Sequence, residues 1–600
     1  MMNVGRITRV DGVRVSAVFY ERLQPFLMHA GEPTASPRIN SFVKTGVGLD
    51  TVICQITGEH EAEFDKKSEI TKSEQAVPND AFVVDLEVRG HINNGEFKGG
   101  LRCLPIVGAT VETLDGEELA MLYSTRGATP MRIGRSLFDE TNSVYLDAGK
   151  LMASHIGVFG NTGSGKSNTL ASILSKYNEL IPSSCGNARI IVFDLNNEYG
   201  GDAILPAREK AVYRLNTRSR RDAQRSRLPI NLLNLDEDSW GTILRATQKT
   251  QMPVVRRAYR RWHGSGSKEA CDSEGLIAEI KQALADRRAI FFHTLRNYCN
   301  DDICGLNELA WNSTKDHFYY ATGPRANSSA QYIDTIEDVG DIRIAENSSL
   351  LTRFYLCLAL EVARAAESGI NFDFVQPLLP RAKGIVKDLE KLFENKDNSD
   401  LSAIFQGKNM AVVQLGDVNT SSREMLPSLL AELVIKDALR KKGDGAPGMI
   451  TTLVIDEAHN LLGYDAEHSD LVHDNTLRVF EKVIKEGRKF GVFLCLASQR
   501  PSDISPTITS QIHNYFIHKL VNPNDIERIR KTVSFMGESS LSMLSALGQG
   551  ECIVSGPSLY MPQYVYIEQL KKDNRPNSSD IQLFGTDGIL QKHDFNQLGV

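Results

Sequence analysis

The chain has 600 residues, 41% hydrophobic and 24% charged, enough for several globular domains with cores of ordinary size. Its 68 Lys and Arg against 75 Asp and Glu leave a net charge of −7, which excludes a protein that coats nucleic acid with its whole surface but leaves room for a local basic passage. Nine cysteines with no C-x-x-C pair, no signal-peptide core and no run of 18 apolar residues predict a reduced cytoplasmic machine without a disulfide or zinc framework and without a membrane span.

In chain order, the first elements are strands. Val13, Val15, Ala17 and Phe19 alternate after the turn signal Asp11-Gly12, as in a half-buried strand leaving a hairpin. A second alternation uses Val52, Cys54 and Ile56, and a third uses Phe82, Val84, Leu86 and Val88, after which Asn94-Gly95 turns the chain into a strand over 97–104. Residues 28–40, rich in Gly, Pro and Ser, read as a long loop. Short strands with turn signals and little helical periodicity predict a small barrel or sandwich over 1–125. It carries no catalytic constellation and suits a docking role.

The period then changes. An apolar strand at 156–159 is followed by Leu170, Ile173, Leu174 and Tyr177 at helical spacing, and a second apolar strand at 190–193 ends in Asp194. Strand, helix, strand with tight loops opens a parallel α/β sheet. Further apolar strands recur at 411–415, 453–455, 492–497 and 515–520, and between the two groups lie about 170 residues of helical pattern, as at 240–246, 275–285 and 350–366. One α/β domain interrupted by a helical insertion is the economical reading.

Gly160-Asn161-Thr162-Gly163-Ser164-Gly165-Lys166-Ser167, with Asn168 next, is a full G-x-x-x-x-G-K-[ST] between the first strand and an amphipathic helix. Its glycines let the backbone N–H groups close on phosphate oxygens; Lys166 then reaches the β- and γ-phosphates of ATP and Ser167 ligates Mg²⁺. The apolar strand 451–455 ends in Asp456-Glu457; on a phosphate-loop sheet the first acid belongs to the metal's shell and the second polarises the attacking water. The strand 492–497 ends in Ser498-Gln499-Arg500, placing Gln499 on the same edge to sense the γ-phosphate. Asp194 and Glu198 share that edge, either assisting metal or DNA or capping a loop. Arg488, after a helix over 477–486, is the first candidate for an arginine given to a neighbouring subunit's nucleotide, ahead of Arg478, Lys485 and Arg500. Eight basic residues, Arg208, Lys210, Arg214, Arg218, Arg220, Arg221, Arg225 and Arg227, face only two acids between 207 and 227. They and Arg256, Arg257, Arg260 and Arg261 are either solvated faces or contacts to DNA phosphates in a channel. His468 and His473 read as a solvated loop, and no nuclease signature is present.

Ile133-Gly134, 144–147, His155–Phe159, the phosphate loop, 453–459, 486–491 and 498–503 together resemble the HerA branch of the HerA/FtsK translocases, over most of 1–240 and 405–570. The resemblance implies an α/β fold with a RecA-like P-loop ATPase core, an ATP-synthase-like N-terminal β-barrel and an inserted helical domain. The expected division is 1–125 barrel, 126–235 and 409–573 core, 236–408 insertion and 574–600 tail, the last polar and read as a candidate for exchange between subunits. It further implies a homohexamer that hydrolyses ATP with Mg²⁺ to move duplex DNA through its ring. A partner effector, a NurA-type nuclease or a sirtuin-like defence enzyme, would dock on the barrel, as in DNA end processing or anti-phage systems. The alternative is an ATP-binding ring that assembles such a partner without moving DNA. Where the family has an Asp-Pro-His-Gly-Glu-Tyr-like run, this chain has Asp194-Leu195-Asn196-Asn197-Glu198-Tyr199.

Overall fold

The computed structural model describes residues 2–20, 26–29, 32–61, 82–124, 129–139, 141–180, 188–218, 226–232, 235–264, 273–326, 328, 331–345, 348–394, 401–443, 448–464, 471–533 and 538–577. Arg220, Arg221, Arg225, His468 and the chain from 578 onward lie outside them, as does the side chain of His473.

The N-terminal strands close on themselves. Going round, Asn3–Asp11, Thr110–Thr113, Phe42–Val47, Asp50–Glu61, Phe82–Asn93 and Arg14–Phe19 pair in an antiparallel ring, and Arg14–Phe19 returns to Asn3–Asp11. Closure removes the exposed sheet edges, and the period-2 alternation sends Val15, Ala17, Phe19, Val52, Cys54, Val84 and Leu86 inward. Gly12 takes φ 62° at the first hairpin, where a side chain would be strained. Two expectations need correction. Residues 28–40 are not simply loop, because Phe26–His29 pairs with Glu32–Ala35 in a short hairpin. The strand after Asn94-Gly95 stops at Gly99, since Gly99-Gly100 has no side chains to continue the pleated packing.

A helix at Gly116–Tyr123, started by an Asp115/Glu118 capping box, joins the barrel to the next sheet. Lys44, buried in the barrel wall, donates to Glu118 at 2.6 Å, and Phe42 packs edge-on against Tyr123 at 6.2 Å.

The second sheet has eleven strands in the order Ser143–Asp147, Pro130–Ser136, Gln563–Tyr566, Glu551–Ser555, Asn514–Ile517, Ile156–Phe159, Val492–Ser498, Ile450–Ile455, Ala188–Asp194, Met410–Asp417 and Ala211–Asn216. The last seven are mutually parallel and the first four antiparallel. The central strands are buried on both faces and read as continuous apolar runs, as parallel strands covered by helices must. Val492–Ser498 lies between the phosphate-loop strand and the strand ending in Asp456. Together with the order around it, this is the RecA-like arrangement.

The inserted region is mainly helical, at Glu237–Ile243, Met252–His263, Ser273–Ala285, Ala289–Tyr298, Leu350–Glu367 and Leu378–Leu392. Trp240, Trp262 and Phe354 form its aromatic centre, with ring centroids 4.2–5.5 Å apart. It also holds a small antiparallel sheet of Leu309–Asn312, His317–Tyr320 and Tyr332–Ile333, where the sequence shows almost no strand signal. Strands of two to four residues are too short to show a period. The six-residue edge strand Ala211–Asn216 escapes notice for another reason, because it lies inside the basic run.

Candidate nucleotide site

Parallel order brings the carboxyl ends of Ile156–Phe159, Val492–Ser498, Ile450–Ile455 and Ala188–Asp194 to one edge, where ligands of open α/β sheets bind. The 160–165 loop starts there and the helix Lys166–Leu180 follows. Gly160, Gly163 and Gly165 have φ of 158°, 74° and 109°. A Cβ on Gly160 would meet His518 Cβ at 2.5 Å and Ser164 Oγ at 2.7 Å, so only glycine lets the loop pass so close to its neighbour. The loop is fixed on its outside: Asn161 N–H donates to Lys519 O at 2.8 Å and Gly550 N–H donates to Ser164 O at 2.9 Å. His518, fully buried, bridges Glu551 O and the Thr169 hydroxyl, each at 2.9 Å. The carbonyl accepts from Nδ1, so Nε2 accepts from Thr169. Burial holds this imidazole neutral, with its pKa pushed down to about 4.

Lys166 is buried, and its Nζ donates to Asn161 O at 2.9 Å. Burial lowers its pKa, while Glu457, Asp456 and Glu198 oppose that shift by charge. Asp456 is 3% exposed; its carboxylate accepts the Tyr199 hydroxyl at 2.8 Å and the Glu457 N–H at 3.0 Å. Burial, then the Glu198 charge, push it up to about 7. Glu457 sits at φ 51°, one buried carboxylate oxygen without a hydrogen bond, with His459 Nδ1 3.4 Å away. The Thr162 hydroxyl donates to Gln499 Oε1 at 2.5 Å. The fold thus brings Lys166, Ser167, Asp456, Glu457 and Gln499 together from three strand ends.

A divalent cation fits this donor set. The acids outnumber the one lysine, and Glu198 and Glu457 each keep a buried oxygen without a hydrogen bond. Among the described residues no three His, Cys, Asp or Glu converge as a metal cage.

The open choice at Asp194 and Glu198 resolves differently for each. Asp194 is fully buried and spent as a cap, accepting the N–H groups of Glu198 at 2.8 Å and Tyr199 at 2.9 Å and the Gln414 amide at 3.1 Å. Asn197 stands at φ 62°, its amide oxygen accepting Gly416 N–H at 3.0 Å. Asparagine is among the few side chains that tolerate this left-handed backbone. Glu198 instead faces the phosphate loop, beside the Ser167 hydroxyl. Tyr199 was not singled out from sequence, because its contact to Asp456 spans 257 residues.

Other candidates stand elsewhere. Asn168 does not offer its side chain to a nucleotide: its amide is taken by Glu568 O at 3.2 Å and Leu570 N–H at 3.0 Å, leaving its backbone in the helix's first turn. Residues 568–577 form a strap whose Asn577 N–H donates to Glu198 O at 2.9 Å. Glu568 is clamped by Arg132 and Arg135 at 2.7–2.9 Å. Arg488 is exposed on the turn Gly487–Phe490 that precedes Val492–Ser498, so it lies at the opposite sheet edge from Gln499. Arg478 lines a 520 Å³ groove with Arg256 and Lys482, Lys485 pairs with Glu481 at 3.2 Å, and Arg500 pairs with Asp503 at 3.7 Å.

The basic groups also divide. Lys210 is a buried core lysine, donating to Tyr199 O at 2.9 Å and to Ala203 O, whereas Arg208, Arg214, Arg218 and Arg227 are exposed. Arg256, Arg257, Arg260 and Arg261 are not a bare basic face, because Glu237, Asp238, Glu279 and Glu361 pair with them.

Residues 131–352 match the family model described as the central domain of helicase HerA. The chain is 25% identical over 509 residues to a probable helicase of Methanocaldococcus jannaschii, covering 83% of this chain and 78% of that protein. It is 26% identical over 475 residues to the DNA double-strand break repair helicase HerA of Sulfurisphaera tokodaii, covering 78% and 74%. Among solved structures, VirB4 of Thermoanaerobacter pseudethanolicus overlaps at TM-score 0.40 and 13% identity, over 75% of this chain and 100% of that one, a likeness too loose to add to what the sheet order already shows.

Proposed function

We propose, on the premise that the chain belongs to the HerA helicase family, that it works as a hexameric ring whose ATP hydrolysis drives movement along duplex DNA. The chain is a P-loop ATPase of helicase type. With nucleotide bound, the 160–165 backbone and Lys166 would hold the β- and γ-phosphates, and Ser167 and Asp456 would hold Mg²⁺, which would supply charge neutralisation for the phosphoryl group. Glu457 orients the attacking water and accepts its proton. Gln499, held by Thr162, registers the γ-phosphate and passes its loss to the neighbouring strand.

The observation that carries the ring is the placement of Arg488. Its own phosphate loop lies across the sheet, so if it serves a nucleotide, that nucleotide belongs to a neighbouring copy. Arg208, Arg214, Arg218 and Arg227 are the described basic residues left exposed beside the edge strand Ala211–Asn216, and repeated round a ring they supply phosphate contacts to DNA. On this reading 1–125 docks partners, and 126–235 and 409–573 form the motor that the insertion 236–408 interrupts.

Mass photometry together with displacement of a third strand from triplex DNA tests it. Six-fold particles that displace the strand only with ATP and Mg²⁺ support the motor; ATP-hydrolysing particles that never displace it exclude translocation. A second reading, a scaffold that organises an effector enzyme, draws on Leu49, Leu101, Ile106 and Val107, all more than half exposed on the barrel. Full effector activity with Glu457→Gln favours the scaffold.

A further inference from the structure

One short loop runs beside both donors assigned to Mg²⁺, and it hydrogen-bonds one of them, Asp456. The Tyr199 hydroxyl donates to Asp456 at 2.8 Å, and Tyr199 is completely buried. The Glu198 carboxylate lies close to the Ser167 hydroxyl, with its buried oxygen not hydrogen-bonded to it in this structure. A hydroxyl that binds a cation through its oxygen must send its proton elsewhere, and a carboxylate is the strongest acceptor available. Among the described residues, Asn196 contacts one Glu198 oxygen at 3.4 Å and the other oxygen is buried without a hydrogen bond. A buried, unpaired carboxylate oxygen is costly, and the Asp194 caps and Asn577 N–H hold the loop's backbone in the conformation that keeps it there.

We propose that Tyr199 and Glu198 are positioning residues for the cation, Tyr199 acting through the Asp456 carboxylate and Glu198 through the Ser167 hydroxyl. The inference rests on the nucleotide-site assignment above and is independent of DNA movement. Outer partners of this kind carry about ten- to a hundredfold in metal affinity.

The test uses the full chain with Mn²⁺ as the probe, its free concentration read by electron paramagnetic resonance in the presence of a non-hydrolysable ATP analogue. Tyr199→Phe, which keeps the ring and loses only the hydroxyl, and Glu198→Gln are each expected to weaken Mn²⁺ binding about tenfold. Nucleotide affinity in EDTA and the melting temperature should stay within two-fold and two degrees or so of wild type. Unchanged Mn²⁺ affinity in both variants overturns the proposal. Equal losses with and without metal also overturn it, since they assign the loop to folding. Lys166→Ala separates the two levels: if the wild type binds no analogue, or Lys166→Ala binds it as well as wild type, the nucleotide-site assignment itself fails.

Discussion

His518 supports the phosphate loop as a neutral imidazole, and lowering the pH from 7 to 5 perturbs it without changing a residue. Its folded pKa of about 4 lies below the unfolded value of about 6.5. The folded state therefore binds fewer protons between those values, and stability falls as pH drops through that window. From pH 7 to pH 5 the loss is about 2 kcal/mol. His155, buried at the start of the phosphate-loop strand and also held to about 4, adds a comparable share to the same sheet. Histidine Cε1 carbon-13 NMR should show a His518 resonance, assigned by its absence in His518→Gln, that does not titrate above pH 5. Hydrogen exchange over the helix Lys166–Leu180, corrected for intrinsic rates, should lose protection between pH 7 and 5, and His518→Gln should lose about half of that pH dependence. A His518 resonance titrating near 6.5, or an unchanged pH dependence in the variant, refutes the reasoning.

Glu457→Gln should bind ATP normally in a filter or fluorescence assay yet hydrolyse it at least about a hundredfold more slowly, while Lys166→Ala loses both. The Glu568 carboxylate is held to about 2 by Arg132 and then Arg135, from an ordinary 4.5. A depressed acid contributes stability above its unfolded pKa and loses it as pH falls toward its folded one. With these side chains about one-third to one-half exposed, solvent screening reduces the contribution to about 1 kcal/mol; thermal unfolding of Glu568→Gln should show that deficit at pH 7 and a shrinking one below pH 4. Arg260→Ala should change DNA affinity less than about two-fold at low salt, because Glu237 already neutralises that arginine at 2.7 Å. Arg214→Ala should weaken it and flatten the salt dependence by about one counterion per subunit.

Much of this was legible locally. The alternation through Val15, Ala17 and Phe19 and the turns at Gly12 and Gly95 marked the barrel strands, and the phosphate loop announced its strand and helix through its glycines. Lys166, Asp456 and Glu457 could be paired because strand ends in a parallel sheet share an edge whatever the spacing between them. What stayed hidden depended on distant partners. Lys210 looked like part of a basic run and proved to be a core lysine, because the carbonyls that receive it belong to a loop folded back from the second strand. Arg256, Arg257, Arg260 and Arg261 had the spacing of a basic helix face, but Glu361 and Glu279 meet them from other helices. Asn168 followed the motif in sequence, yet a strap some 400 residues away occupies its side chain. Local chemistry can be read along a chain, whereas neutralisation and capping are properties of the packed neighbours.

The most direct test of the motor is steady-state hydrolysis of Mg²⁺-ATP by the purified chain at low salt, with and without long duplex DNA. Turnover that rises several-fold with duplex DNA, falls back as salt is raised and disappears in Lys166→Ala is the predicted result. Hydrolysis that requires Lys166 but does not respond to DNA at any salt concentration would leave an ATPase without a DNA-coupled motor, and contradict it.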